Sequence, residues 1–474
     1  MRRRKELRSF ILAIENKFPV NEWKVDGVEL WPYIRTKIFL IVVYNEVKRI
    51  NTIEVKKDNF FKKVIVFYRI IKNTLFSYFK KRIFFKKLKE VETIGLSTPS
   101  YRANVDGVLI SRFIDTLVVK NDLEDSILVF EKKSLGTKQF NERNVLDYQD
   151  FLTDYLRLKR LIKRNNDPKF QLEKYEEFIL YIKTQKDFDL KIVSEVLKLD
   201  TFKFWCKTFL LPRVKFFKDV FLKTKVKSVW VCCYYGEDYL AAMVAANQLK
   251  VQTIELQHGV QNDLHLAYGS WHNMPAQGFL MLPKMFWNWT KEGSDTILSW
   301  AVQKVGYSSK IIGNPWIDFW KGKKTSFHHK NFILYSLQTG FAEISNLFPQ
   351  RIIDVIKNGD TMWFLRLHPG QLSEMNDLIR KVDQWGISDK VNIELATNTP
   401  LPLLLQSACL HVTMVSSVTI ESEFYEVYTV LLEALSEDYF QEIIERGSAK
   451  YLPLDHENFE RVFNQILKEK GVFY

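Results

Sequence analysis

Residues Val251–Tyr268 read VQTIELQHGVQNDLHLAY. This stretch opens as a short apolar strand, Thr253 to Leu256, and breaks into Gln257-His258-Gly259, with a second histidine, His265, seven residues after the first. Just upstream, Val229–Cys233 reads as another buried strand and Asp238–Leu249 as a helix. Strand, loop, helix, strand and loop in this order make a βαβ unit with a polar loop at the C-terminal end of each strand. In open parallel sheets that edge is where ligands bind. His258 is therefore a candidate acid–base or phosphate-contacting group, and Gly259, with no Cβ, lets a ligand approach closely. Gln257 and His265 share the loop and join the candidate cleft set. The structural alternative for His258 is a ring bonded to backbone. Glu237 and Asp238, on the loop after the preceding strand, are further candidate bases. Their structural alternative is acids placed to stabilise a helix N-terminus.

The second half of the chain repeats the alternation. Strand Phe332–Leu337 leads into Gln338-Thr339-Gly340 and a helix over Glu343–Lys357. Strand Met362–Leu367 leads into His368-Pro369-Gly370 and helix Ser373–Trp385. Strand Val391–Leu395 and a short helix near Leu401–Ser407 follow, then strand Cys409–Met414, Ser416-Ser417 and helix Val418–Tyr425. Strand Tyr428–Leu432 and two terminal helices close the pattern, which is that of a doubly wound parallel sheet. The loops Gln338–Gly340, His368–Gly370 and Ser416–Ser417 would lie along one edge. Arg366 and His368 stand two apart at a strand end, and Pro369 stiffens the turn. Ser416 and Ser417 precede a helix, where hydroxyls and free N–H groups can take an anion. Together these residues can hold a phosphate or diphosphate without metal; singly, each serine is also an ordinary helix cap.

At 474 residues the chain exceeds what one core fills, so two large domains are expected. The net charge of +13 favours an anionic partner: nucleic acid, anionic lipid or a phosphorylated substrate. The four cysteines show no metal-ligand spacing and fit a reducing, cytoplasmic compartment. The basic N-terminus is a poor signal peptide, because charges break its apolar run. Residues 1–90 read as an appended, mainly helical basic region. Within it, Phe60–Leu88 holds nine Lys/Arg and no acid. Lys62, Arg69, Lys72, Lys80 and Lys87 gather on one side of a helical wheel, and Val64, Phe67, Ile71, Leu75, Tyr78 and Phe85 on the other. Such a helix suits the headgroup layer of an anionic membrane or the packing of its apolar face on the protein. No nucleic-acid-binding motif supports a third reading. Residues 91–320 form the expected first domain, Lys321–Lys330 a linker, and residues 331–474 the second domain.

Arg366-Leu367-His368-Pro369, followed by Val415-Ser416-Ser417-Val418-Thr419-Ile420-Glu421, resembles the paired HP and SS motifs of bacterial GT-B transferases. These include sialyl-, polysialyl- and Kdo transferases and CDP-glycerol glycerophosphotransferases. Ile254–Gly259 with His265 and Tyr268, then Ile312–Asp318, resembles capsule and surface-polysaccharide biosynthesis proteins of the same fold. The resemblance implies an α/β GT-B chain, with two Rossmann-like domains facing a cleft behind a basic extension. It implies a nucleotide-binding set of Gln338, Thr339, Arg366, His368, Pro369, Ser416, Ser417 and Glu421, taking a CMP- or CDP-activated donor. The implied activity is transfer of a sugar or polyol phosphate to a surface polysaccharide, at or near the inner face of the cytoplasmic membrane. No Asp-x-Asp metal motif stands out, and no cofactor is implied. Two alternatives remain: a non-catalytic scaffold of a polysaccharide assembly complex, and a sugar-nucleotide epimerase of the same fold. The chain departs from the pattern twice. Glu426-Val427-Tyr428 replaces a Gly-x-Pro, and Gly236-Glu237-Asp238 stands where sialyltransferases carry an acid-acid-glycine motif.

Overall fold

Seven short strands form the first sheet, and every neighbouring pair in it is parallel. In chain order they are β1 (Thr93–Leu96), β2 (Ile127–Phe130), β3 (Val145–Leu146), β4 (Ser228–Val231), β5 (Gln252–Leu256), β6 (Met285–Asn288) and β7 (Ser308–Ile311). Their spatial order is β7-β6-β5-β4-β1-β2-β3. The direction of winding therefore reverses between β1 and β4. β2 is ILVF and buried along its whole length, as a strand covered on both faces must be. The computed structural model describes residues 2–48, 76–132, 138–162, 167–188, 190–302, 306–321, 323, 327–338 and 344–471.

The chain divides into two compact units, one of Arg3–Asn45 with Thr52–Gly313 and one holding Asn314–Tyr474. The stretch 1–90, expected as an appended region, sends two helices, Arg2–Lys17 and Trp31–Lys48, into the first unit's core. Leu7, Ile11, Ile14, Trp23, Trp31 and Ile34 are all buried there. A buried arginine ties these helices to each other and to the rest of the unit. Arg35, fully buried, meets Glu15 at 3.1 Å, donates to the carbonyls of Gly269 (2.8 Å) and Ser270 (2.9 Å), and lies over the Trp271 ring.

In the second unit, β8 (Phe332–Ser336), β9 (Trp363–Arg366), β10 (Val391–Asn392), β11 (Ala408–Thr413), β12 (Thr429–Leu431) and β13 (Ala449–Tyr451) are also all parallel. Their order is β10-β9-β8-β11-β12-β13, the 3-2-1-4-5-6 order of a Rossmann sheet, with the reversal between β8 and β11. Both halves are thus doubly wound α/β units. Helix Pro315–Trp320 belongs with this second unit and is capped by Asn314, whose side chain accepts from Trp316 and Ile317.

Three local readings change and one strand escapes the pattern. Gly278–Leu282, an apolar run that reads as a strand, is a buried turn. Gly278 sits at φ +72, and the Phe279 N–H is taken by the Tyr307 hydroxyl at 2.9 Å. The expected helix over Glu343–Lys357 begins only at Gln350, because Pro349 separates it from a 3-10 turn over Ile344–Leu347. Strand Val391–Leu395 stops at Asn392, whose side chain accepts from Leu395 N–H at the start of helix Glu394–Asn398. Strand β13 has only three residues, too few for alternation to show.

The departure at Glu426 is resolved by the backbone. Val427 N–H bonds to Ser422 O (3.1 Å) and Glu426 N–H to Glu423 O (3.0 Å), a Schellman closure of the helix Val418–Glu423. Glu426 occupies the left-handed position of that closure at φ +57, where glycine is preferred. The turn is kept and an L-residue is held in it. Glu426→Gly is expected to raise the second unit's stability by about 1 kcal/mol, read as a higher urea midpoint at unchanged slope.

A buried histidine joins three strands of this sheet. His411 on β11 has its Nε2 2.7 Å from Ser336 Oγ on β8 and its Nδ1 3.0 Å from Thr429 Oγ1 on β12. Burial pushes its imidazole down to about 3. The unfolded chain binds a proton that the folded chain refuses. This contribution is therefore complete above about pH 6.5 and is lost as pH falls toward 3. His411→Leu strands two buried hydroxyls and should cost about 2–3 kcal/mol at pH 7. In denaturant melts at pH 7 and 4, the gap between wild type and variant should narrow at the lower pH.

Candidate functional site

At the C-terminal edge of the first sheet the side chains converge on one carboxylate. Glu255, on β5, is fully buried. It accepts from the backbone N–H groups of Cys233 (3.0 Å) and Tyr234 (3.1 Å) and from the Tyr268 hydroxyl (2.7 Å). Cys233 reaches this arrangement with φ +63, a left-handed backbone unusual for a non-glycine residue. His258 Nδ1 stands 3.5 Å from Glu255 Oε1, an ion-pair separation longer than a strong hydrogen bond. The rings of Tyr101 (5.9 Å between centroids), Phe113 (6.3 Å) and Tyr268 (6.4 Å) surround the imidazole. Its side chain keeps 16% of its surface open. Burial is the largest influence on the ring and lowers it, but the Cys233 and Glu255 side chains outweigh burial and hold it up at about 10. At neutral pH His258 is an imidazolium.

His265 is the opposite case. Its ring packs against Tyr268 (4.9 Å), Phe39 (5.0 Å) and Tyr235 (5.7 Å). Burial, then the charge of His258, pushes it down to about 3, so it stays neutral. Gln257 is a clamp: Oε1 accepts from Trp289 N–H (2.6 Å) and Nε2 donates to Gly259 O (2.9 Å). A Cβ at Gly259 would meet nothing within 4 Å, so the space beside His258 is open.

Glu237 and Asp238 begin the helix Glu237–Gln248. Glu237 pairs with Lys37 at 2.6 Å. Asp238 takes Arg213 Nε at 2.6 Å and the Tyr148 hydroxyl at 3.3 Å. Both line a cavity of about 320 Å³ with Gln149, Phe209, Arg213, Gly236 and Tyr239. Asp238 thus has both oxygens engaged, whereas Glu237 remains 37% exposed.

In the second unit the strand order sets β8 between β9 and β11, and Gln338 ties their loops together. Its Oε1 accepts from Val415 N–H (2.7 Å), and its carbonyl accepts from Gln371 Nε2 (3.1 Å). His368 is exposed and closes a reciprocal box. Its Nδ1 accepts from Gly370 N–H (3.0 Å), while its own N–H reaches Gln371 Oε1 (3.2 Å). Pro369 beside it is exposed as well. Ser416 and Ser417 are half-buried before the short helix Val418–Glu423, and Ser416 Oγ accepts from Val418 N–H at 3.3 Å. Glu421 is buried within that helix. Arg366 Nη1 donates to the carbonyls of Ala396 (2.6 Å) and Thr399, binding β9 to the helix Glu394–Asn398. Thr339 and Gly340 lie outside the described residues. Among the described residues no cluster of three or more His, Cys, Asp or Glu could hold a metal ion.

Sequence reasoning passed over Glu255, Cys233 and Tyr101. One signal for Glu255 was present: a carboxylate inside the apolar run Thr253–Leu256 must be paired if it is buried.

No protein-family model matches the chain, and no curated protein matches its sequence. Solved structures do match. A putative UDP-N-acetylglucosamine 2-epimerase from Listeria monocytogenes is 13% identical at a TM-score of 0.46, over 81% of this chain and 90% of that one. S. aureus MnaA, solved with UDP, is 15% identical at 0.44 over 81% and 90%. Anabaena HepE, in complex with UDP, is 10% identical at 0.40 over 81% and 91%. The fold class rests on the strand orders given above: two Rossmann-like units in sequence, as in GT-B chains.

The pairing of Glu255 with His258 is open to a direct test. In Glu255→Gln the imidazole should titrate below about 10, because the carboxylate that favours its charged form is gone while the Cys233 contribution remains. NMR titration of the His258 ring reads this without any assay of activity; an unmoved ring would break the assignment.

Proposed function

We propose that the chain is a nucleotide-sugar enzyme, a transferase that moves a sugar or polyol phosphate from a CMP- or CDP-activated donor to a surface glycan. The observation that carries this reading is the second unit's switch point. The 3-2-1-4-5-6 strand order brings the Gln338, His368 and Ser416–Ser417 loops to one edge, and Gln338 ties the β8 loop to the loops of both neighbours. That edge is the nucleotide site of this proposal. In this proposal His368 and the two serines face the phosphates, and Arg366 acts mainly by binding the end of β9 to the helix Glu394–Asn398. The resemblance to HP and SS motifs is what names cytidine.

The first unit supplies the chemistry. His258, held charged beside Glu255 at the first unit's own edge, is the candidate acid of this proposal. The acceptor hydroxyl attacks the anomeric carbon, or the phosphorus of a polyol phosphate. Its proton passes to a base as the bond to the leaving phosphate breaks. Glu237 is the better base of the two candidates, since Asp238 is spent on Arg213 and Tyr148. A protein at the inner face of the cytoplasmic membrane suits this reaction.

His258→Ala should lower kcat by on the order of 10²–10⁴-fold with little change in nucleotide affinity. His368→Ala and Ser417→Ala should do the reverse, raising the Kd for CMP or CDP. A thermal-shift screen of CMP-, CDP- and UDP-activated donors selects the donor, and nucleotide release with and without an acceptor reads the reaction. Donor conversion without acceptor would turn the reading to an epimerase. Binding without release under any condition would turn it to a scaffold.

A further inference from the structure

We propose that the helix over 76–87 is a membrane-surface anchor that lays Phe76, Phe79 and Ile83 on an anionic lipid bilayer. This inference does not depend on the transferase reading. It rests on how one helix divides its faces. The inner face is fixed: Phe84 is buried against Phe151 (5.3 Å), Phe130 (5.5 Å) and Phe216 (5.9 Å), with Ser77 and Leu88 buried beside it. The helix is therefore a rigid part of the first unit. Its outer face is not what a solvated helix presents. Phe76 is 55% exposed, Phe79 62% and Ile83 54%. They fall at i, i+3 and i+7, so they form one stripe.

The charges on the helix itself around the stripe share one sign. By helical spacing Lys80 and Lys87 border it on one flank and Arg82 and Lys86 on the other. No acid occurs from Asn59 to Lys89. Lys80 reaches Asp150 at 2.8 Å, and Lys81 is held by the Tyr155 hydroxyl at 3.1 Å; Arg82, Lys86 and Lys87 stand exposed. An aromatic and aliphatic stripe between two basic flanks is what a helix lying in the headgroup layer needs. The rings enter the acyl boundary while the cations meet lipid phosphates. The same charges oppose a second copy of this chain, since face-to-face pairing would set basic flank against basic flank. The apolar side expected from sequence was different. Its residues Val64, Phe67, Ile71 and Leu75 lie outside the described residues, and Phe85 is half-buried against the core. No helix among the described residues is long and apolar enough to cross a membrane, so the surface mode is the one argued.

Vesicle sedimentation of the full chain tests this. The protein should pellet with vesicles of phosphatidylcholine containing about a third phosphatidylglycerol. It should stay in solution with phosphatidylcholine alone, and release as salt rises from about 0.05 to 0.5 M. Phe76→Ser/Phe79→Ser/Ile83→Ser should cut binding roughly tenfold or more with an unchanged melting curve, because these side chains are already outside the core. Lys86→Glu/Lys87→Glu should weaken binding through charge alone. Equal binding by wild type and the triple variant would overturn the proposal, as would no binding by wild type. A wild-type dimer in sedimentation velocity that the triple variant dissolves would assign the stripe to self-association instead.

Discussion

The first unit is arranged around a fully buried carboxylate. An ionised Glu255 at zero exposure would be prohibitively costly alone, so its surroundings must supply donors. They come from three places in the chain: two backbone N–H groups after β4, the Tyr268 hydroxyl from the following loop, and the imidazolium of His258. Each carries a constraint outward. Cys233 must adopt a left-handed backbone to aim its N–H. Tyr268 must sit at a fixed depth, and the Trp300 indole holds its carbonyl at 2.7 Å. The loop between them is pinned again where Tyr234 donates its hydroxyl to Ala267 O. The charge that makes His258 useful and the shape of the loop that carries it thus have one cause.

The second unit solves a different problem with different chemistry. Its edge is organised by amides. Gln338 and Gln371 cross-link three loops through one donor or acceptor at a time, without a buried charge. Neutral clamps leave the field at that edge to whatever anion is bound, which suits a phosphate site. A buried histidine of its sheet, His411, is kept neutral within a three-strand hydrogen-bond chain. One unit's edge is thus organised around a buried carboxylate and the other's around neutral amides.

The fold was legible because parallel strands buried on both faces announce themselves. Ile127–Phe130, Phe332–Ser336 and Ala408–Thr413 are apolar runs of the right length, each followed by polar loop residues. Local pattern misleads where the governing contact is distant in sequence. Nothing near Gly278 says that Tyr307 will bond its neighbour, and Glu426 does not look like a left-handed turn residue until Ser422 closes on it. The site was half legible. His258 and the HP and SS loops could be read from motif and position. That His258 would be charged and His265 neutral depends on Glu255 and on aromatic walls from Phe39, Tyr101 and Phe113, which spacing along one strand cannot reveal. The basic helix was recognisable by composition, but which of its phenylalanines face outward was decided by Phe84 entering the core.

The buried Arg35 has a consequence for biosynthesis. Glu15, its local partner, emerges from the ribosome with it, but the carbonyls of Gly269 and Ser270 come 234 and 235 residues later. At roughly 5–20 residues per second the N-terminal helices wait on the order of tens of seconds for the loop that seats them. Through that interval Trp23, Trp31 and the apolar faces of both helices have no completed core to enter. The first unit's core closes only when the loop bearing His265 and Tyr268 has been made.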